Sequence, residues 1–175
     1  MNQNLTLIAT GIVFNLFWLV SVLGQSQYIW LSVLMLLTSW WFAPGGFQWA
    51  LLLALPGILM DALLVYFGVY AFADAAFYSQ SGLPVWLMVL WLGFSTFLWC
   101  IRKLILARTP LLIVAPGGLA GAASYLAGER LGAVMLPLGL LKSAVIIVIC
   151  WTLFSMLALW WLKRIDKTIY RDVNP

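Results

Sequence analysis

The sequence predicts an all-α membrane bundle of about six transmembrane helices, and three observations carry that reading. Hydrophobic residues make up 65% of the chain and charged residues only 8%, against about 25% charged in ordinary soluble domains. Mean hydropathy is +1.07, which leaves too little polar surface to cover a water-facing globule. Basic residues stand at the ends of apolar runs instead of forming a stripe on a soluble face. The net charge of +4 is therefore no nucleic-acid footprint, and the partners expected are membrane lipids.

The 175 residues read as a single transmembrane domain. The first span, Leu5 to Leu23, has no basic residue before it, and its apolar run exceeds the ~7–15 residues of a signal core. It is read as a retained helix. Gln25-Ser26-Gln27 breaks the pattern before a short second span, Tyr28 to Phe42, which ends at the turn Ala43-Pro44-Gly45-Gly46. The third span is the apolar run from Ala50 to Ala73, with one acid, Asp61, near its middle. A polar patch with Asp74, Ser79, Gln80, Ser81 and Gly82 reads as an exposed loop.

The fourth span runs from Pro84 to Cys100 and is followed by Arg102, Lys103 and Arg108. The fifth begins near Thr109-Pro110 and reaches Gly128. The connector Leu131 to Leu140, broken by Gly132, Pro137 and Gly139, is expected in the interface or dipping partway back. The sixth span, Leu141 to Leu162, precedes a short cytoplasmic tail, 163–175. Cytoplasmic termini put Arg102, Lys103, Arg108, Lys163, Arg164, Lys167 and Arg171 inside and leave Arg130 and Lys142 outside, as the positive-inside rule favours. The localisation implied is a bacterial inner membrane. Trp30, Trp40, Trp41, Trp49, Trp86, Trp99, Trp160 and Trp161 fall near span ends, where an interfacial belt is expected. Cys100 and Cys150 are read as small buried residues. Ala-Pro-Gly-Gly recurs at 43–46 and 115–118, once in a loop and once inside a span.

Most chemistry is excluded. The chain has no histidine, so histidine metal sites and Ser-His or Cys-His nucleophile pairs are impossible. There is no phosphate-binding glycine loop. Neither a metal nor a cofactor is expected, and an enzyme ranks last among the functional classes.

Asp61 remains. A bare carboxylate at the bilayer centre costs ~2.5–3.5 kcal/mol even on the lenient insertion scale, so it needs partners or a proton. At ~100° per residue, Ala50, Ala54, Gly57, Asp61 and Gly68 fall on one stripe, and small residues let a neighbouring helix approach closely. Gly117 with Gly121, and Gly128 with Gly132, give the fifth span matching small-residue spacings. In the proposed topology both spans run the same way. Asp61 lies ~20 Å above Gln48 and Ser124 lies ~21 Å above Pro110, so they are level. Hydrogen bonds from Ser124, Tyr125 or Asn15 are expected. Arg130, ~10 Å higher by the same rule, is out of reach and is expected with Glu129 and Lys142 at the outer rim. The candidate binding residues are thus Asp61, Asn15, Ser124, Tyr125, Glu129 and Arg130. The candidate packing residues are Gly57, Gly68, Gly117, Gly121, Gly128 and Gly132.

The segments Gly57-Ile-Leu-Met-Asp61, Ser124-Tyr-Leu-Ala-Gly-Glu-Arg-Leu-Gly-Ala-Val134, Leu83 to Trp91 and Asn15-Leu-Phe-Trp18 resemble an uncharacterised proteobacterial inner-membrane family, a domain of unknown function. That resemblance implies a genomic setting beside enzymes like cyclopropane-fatty-acid synthases and amine-oxidase-like flavoproteins. It implies no activity and no catalytic residue. Substrate-capturing subunits of vitamin transporters are of similar size, but their alanine-x-x-x-alanine motif would fall on Ala9 and Val13, where it fails. The reading that follows is a protein that binds or moves an apolar or lipid-derived molecule. A non-catalytic scaffold for a lipid-modifying enzyme is the alternative.

Overall fold

A computed structural model describes residues 3–43, 45–72 and 82–173, with residues 3, 4, 6 and 167–173 described by their backbone alone. The chain order is α1 (Gln3–Gly24), α2 (Ile29–Phe42), α3 (Gly46–Tyr66), β1 (Ala71–Phe72), α4 (Val85–Cys100), α5 (Arg102–Leu106), α6 (Leu111–Arg130), β2 (Val134–Met135) and α7 (Leu140–Val173). The fold is all-α apart from a two-strand ribbon. Among the described residues, four helices are long and apolar enough to cross a membrane: Leu7–Gly24, Gly46–Tyr66, Leu111–Arg130 and Leu140–Asp166. The second and fourth spans of the sequence reading are the shorter apolar helices α2 and α4. Their 14 and 16 residues give about 21 and 24 Å of length, less than the ~30 Å hydrocarbon core.

Three boundaries differ from the sequence reading. The third helix stops at Tyr66, not near Ala73, because Gly68 takes φ +66 and closes it. Gly68 N–H donates to the Val65 carbonyl and Val69 N–H to the Leu64 carbonyl, both at 2.9 Å, which satisfies two otherwise orphaned carbonyls. The connector after α6 is a second copy of this device. Gly132 (φ +76) donates to Glu129 and Ala133 to Gly128. Each turn leads straight into one strand of the ribbon, where Ala71 lies opposite Met135 and Phe72 opposite Val134. The last helix continues through the polar segment to Val173. The loop around Asp74, Ser79, Gln80 and Ser81 lies outside the described residues, as do the Lys167 and Arg171 side chains.

α3 packs on α4, α6 packs on α7, and α1 packs against α2 and α4. Ser21 and Ser32 share a buried hydrogen bond of 3.0 Å between α1 and α2. The two hairpins α3–β1–α4 and α6–β2–α7 follow one plan, in a register 64 residues apart, the separation of Asp61 and Tyr125. In that register Gly68 matches Gly132 at the helix ends. Ala71 matches the residue it pairs with, Met135. Gly57, lying under the Trp91 ring, matches Gly121, lying under the Trp151 ring. Those two indoles stack on each other with centroids 5.2 Å apart and planes 16° apart. The two tryptophans are 60 residues apart, so the second helices of the hairpins follow the plan with an offset of four residues. The Ala-Pro-Gly-Gly echo does not follow this register. Its first copy includes Gly45 in a turn (φ +91), and its second lies within α6.

The tryptophan belt is partly a core. Trp41 and Trp30 are 84% and 61% exposed, but Trp86 and Trp99 are 1% and 6% exposed. Trp99 stacks on Trp49 at 5.4 Å and lies beneath the Arg102 guanidinium. The cysteine expectation is also corrected. Cys100 is exposed and Cys150 half-buried, and both are free thiols.

Candidate functional site

The site forms where both hairpins meet the ribbon, and the turn before β1, α4 and α6 each deliver one group to Asp61. Asp61 is fully buried, about four turns along α3 from its start. The Gly68 turn folds the chain back so that the Tyr70 hydroxyl donates to Asp61 Oδ1 at 2.5 Å. α4 lies close enough over Gly57 for Trp91 Nε1–H to donate to Asp61 Oδ2 at 2.7 Å. From α6, the Tyr125 hydroxyl reaches both carboxyl oxygens at 2.7 Å. Three donors converge on one carboxyl group, and no cation is among its partners in the described residues. A donor set of this kind satisfies the lone pairs that burial would otherwise leave bare. The surrounding rings close the space: Tyr70 and Tyr125 lie 4.8 Å apart, and Tyr125 meets Trp151 at 6.2 Å.

Of the residues anticipated as partners of Asp61, Tyr125 is one. Ser124 donates instead to the Gly121 carbonyl at 2.7 Å, and Asn15 Nδ2–H to the Gly11 carbonyl at 2.8 Å. Glu129, Arg130 and Lys142 are exposed at the ribbon end, away from the carboxyl. Among the small residues, Gly117, Gly118 and Gly121 lie against Ser155, Thr152 and Trp151 of α7, and Gly128 lies against Val134. Gly68 and Gly132 are the turn residues described above.

Sequence reasoning missed Tyr70 and Trp91. A signal for Trp91 exists. It lies deep within its apolar run, outside any interfacial belt, and an indole N–H at that depth needs an acceptor. Tyr70 had none, because the apolar run passes through Gly68 without a polar break.

Beside the carboxyl lies a cavity of about 650 Å³ between α4 on one side and α6 and α7 on the other, with α1 along its edge. Trp91 and Tyr125 belong to both structures: their polar ends hold Asp61 and their rings wall the cavity. Asn15 and Ser124 also line it, whereas Asp61, Glu129 and Arg130 do not. Asn15 on α1 and Leu112, Pro116 and Ala120 on α6 line the cavity and are exposed, so it opens sideways between those helices. Asp61 thus fixes two wall residues from behind. Among the described residues, no three His, Cys, Asp or Glu side chains come together in a way that could hold a metal.

No curated protein and no solved structure matches the chain. The site, the ribbon and both hairpins up to the middle of α7 nevertheless fall inside a single family match. The chain belongs to the family described as protein of unknown function (DUF2878), whose model matches residues 7–157.

Proposed function

We propose that this is a multi-pass bacterial inner-membrane protein that binds or moves an apolar or lipid-derived molecule, in a setting of membrane-lipid modification or membrane stress. α1, α2, α3, α4, α6 and α7 make six crossings in this reading, and both termini are cytoplasmic. The cavity carries the functional part. At about 650 Å³ it falls within the ~300–1,000 Å³ of small-molecule sites, and its wall is aromatic and aliphatic. Asp61 holds Trp91 and Tyr125 in that wall, and Asn15 and Ser124 offer polar groups along it. Glu129 and Arg130 would then act only at the rim.

Purification in native lipid, followed by mass spectrometry of retained small molecules, tests this reading. A recurrent bound species is expected, and a clean apo protein would remove the reading. For orientation, a C-terminal reporter active only in the periplasm would reverse the topology.

The enclosure of Asp61 favours a second reading, a non-catalytic scaffold for a lipid-modifying enzyme. A carboxyl group sealed by three protein donors makes a good structural lock. An Asp61→Asn protein that folds and supports growth under membrane stress like wild type would leave only that lock. A membrane-embedded enzyme ranks third.

A further inference from the structure

The shape and polarity of the cavity narrow the kind of molecule it suits. Along α6 its wall runs from Leu112 to Gly128, ~24 Å at 1.5 Å per residue. Its volume of about 650 Å³ is therefore drawn out along the helices as an elongated cleft. An apolar space of that length suits an extended hydrocarbon chain. The two ends of the cleft differ. At the ribbon end, Phe72, Trp86, Ala133 and Val134 close it, and all four are buried.

The opposite end is lined by Ile101, Ile105 and Leu162, and the neighbouring residues in sequence are cationic. Arg102, Lys103, Arg108, Lys163 and Arg164 gather here, where α5 packs on α7. Asp166 is the one acid among the described side chains of this end. Arg102 is engaged, donating to the Trp99 carbonyl at 2.8 Å, while Lys103 and Arg108 are exposed. A cleft open sideways to the bilayer, apolar along its length and cationic at one mouth, is complementary to a lipid with a negative head.

We infer that the cavity holds one acyl chain of an anionic phospholipid. The lipid enters between α1 and α6, leaves its headgroup beside Lys103 and Arg108, and points its chain past Ala120 toward Tyr125. This rests on the cavity-binding reading above and adds the ligand class and its orientation.

The test uses the full chain, reconstituted from mild detergent into vesicles of equal phosphatidylglycerol and phosphatidylethanolamine with identical chains. The protein is re-extracted and its retained lipid quantified by mass spectrometry. Phosphatidylglycerol should be enriched about tenfold over the vesicle ratio, a factor that two cations near the membrane surface support. The Lys103→Gln, Arg108→Gln double variant should retain as much lipid in total but lose the enrichment. Ala120→Trp, which fills the cleft at its midpoint, should lose both lipids. Ala127→Leu, a smaller filler on the same wall, should lose part of them and covers the case in which the tryptophan variant does not fold.

Equal retention of the two lipids by the wild type would overturn the anionic ligand and leave the cavity-binding reading standing. Undiminished lipid in folded Ala120→Trp or Ala127→Leu would place the lipid elsewhere and remove both.

Discussion

In the shared register of the two hairpins, α3 carries Leu53, Met60 and Leu64 where α6 carries Gly117, Ser124 and Gly128. Leu53 and Leu64 are buried and Met60 half-buried, and α3 also packs against α7. On the matching side, between α6 and α4, the cavity intervenes. The backbone plan is common to both and the difference lies in side-chain volume. Interiors pack to near-crystalline density when the side chains allow it, so a run of small residues facing a partner held at fixed distance leaves a void. The aromatic stack of Trp91 on Trp151 and the Asp61–Tyr125 bond hold that distance, and they stop the small-residue side from collapsing.

The comparison breaks most severely at its centre. Asp61→Ala strands three buried donors, each costing about 1–3 kcal/mol when left unsatisfied. It should therefore give the largest loss of thermal stability in detergent of any single change here. A melting temperature within a few degrees of wild type would mean that the hairpins do not depend on this junction.

Next come Gly57→Ala and Gly121→Ala. An added Cβ would overlap the Trp91 ring in one and the Trp151 ring in the other, and overpacking of this kind costs about 1–3 kcal/mol. The two losses should be alike, and each should be relieved by shrinking its own indole to leucine but not the other. A large inequality between the glycines, read from paired unfolding curves, would break the match between the two hairpins.

Gly68→Ala and Gly132→Ala are expected to cost somewhat less. Both residues have positive φ, where a side chain costs roughly 1–2 kcal/mol. Hydrogen exchange should show fraying confined to the ribbon in each case, and unchanged exchange there would argue against a tie between the turns and the strand pairing. The smallest effect is expected from Ser124→Met, which gives α6 the residue α3 has at the matching position. It should enter open volume and move stability by no more than about 0.5 kcal/mol, while shrinking the cavity. A loss above 1 kcal/mol would show that the space beside Ser124 is not free.

Much of the site is written in the sequence, but in two different ways. Asp61 stands out because a lone acid in an apolar run conflicts with its solvent, and Tyr125 follows from equal depth on a parallel span. Both inferences need only helix rise and hydropathy. Trp91 required a further step, from the depth of an indole to its need for an acceptor. Tyr70 was beyond those tools because its position depends on where α3 stops. Hydropathy is blind to a glycine turn whose flanking residues, Phe67 and Val69, are as apolar as the helix. The same blindness hid the ribbon. The spans themselves were legible, but α2 and α4 show the limit: an apolar run announces a helix more reliably than it announces a crossing. Small residues were also double in meaning. Gly121 lies under Trp151 as a packing residue and lines the cavity as well, and spacing alone does not separate the two.

The register of the hairpins bears on how the chain is made. Asp61 leaves the ribosome 64 residues ahead of Tyr125, an interval of roughly 3–13 s at ordinary rates of synthesis. Throughout that interval the carboxyl has at most Tyr70 and Trp91 to satisfy it, and the hydroxyl that spans both its oxygens does not yet exist. The nascent protein must therefore carry an incompletely paired acid through the insertion machinery. Its first four helices can be placed early, but their polar centre is completed only when α6 arrives.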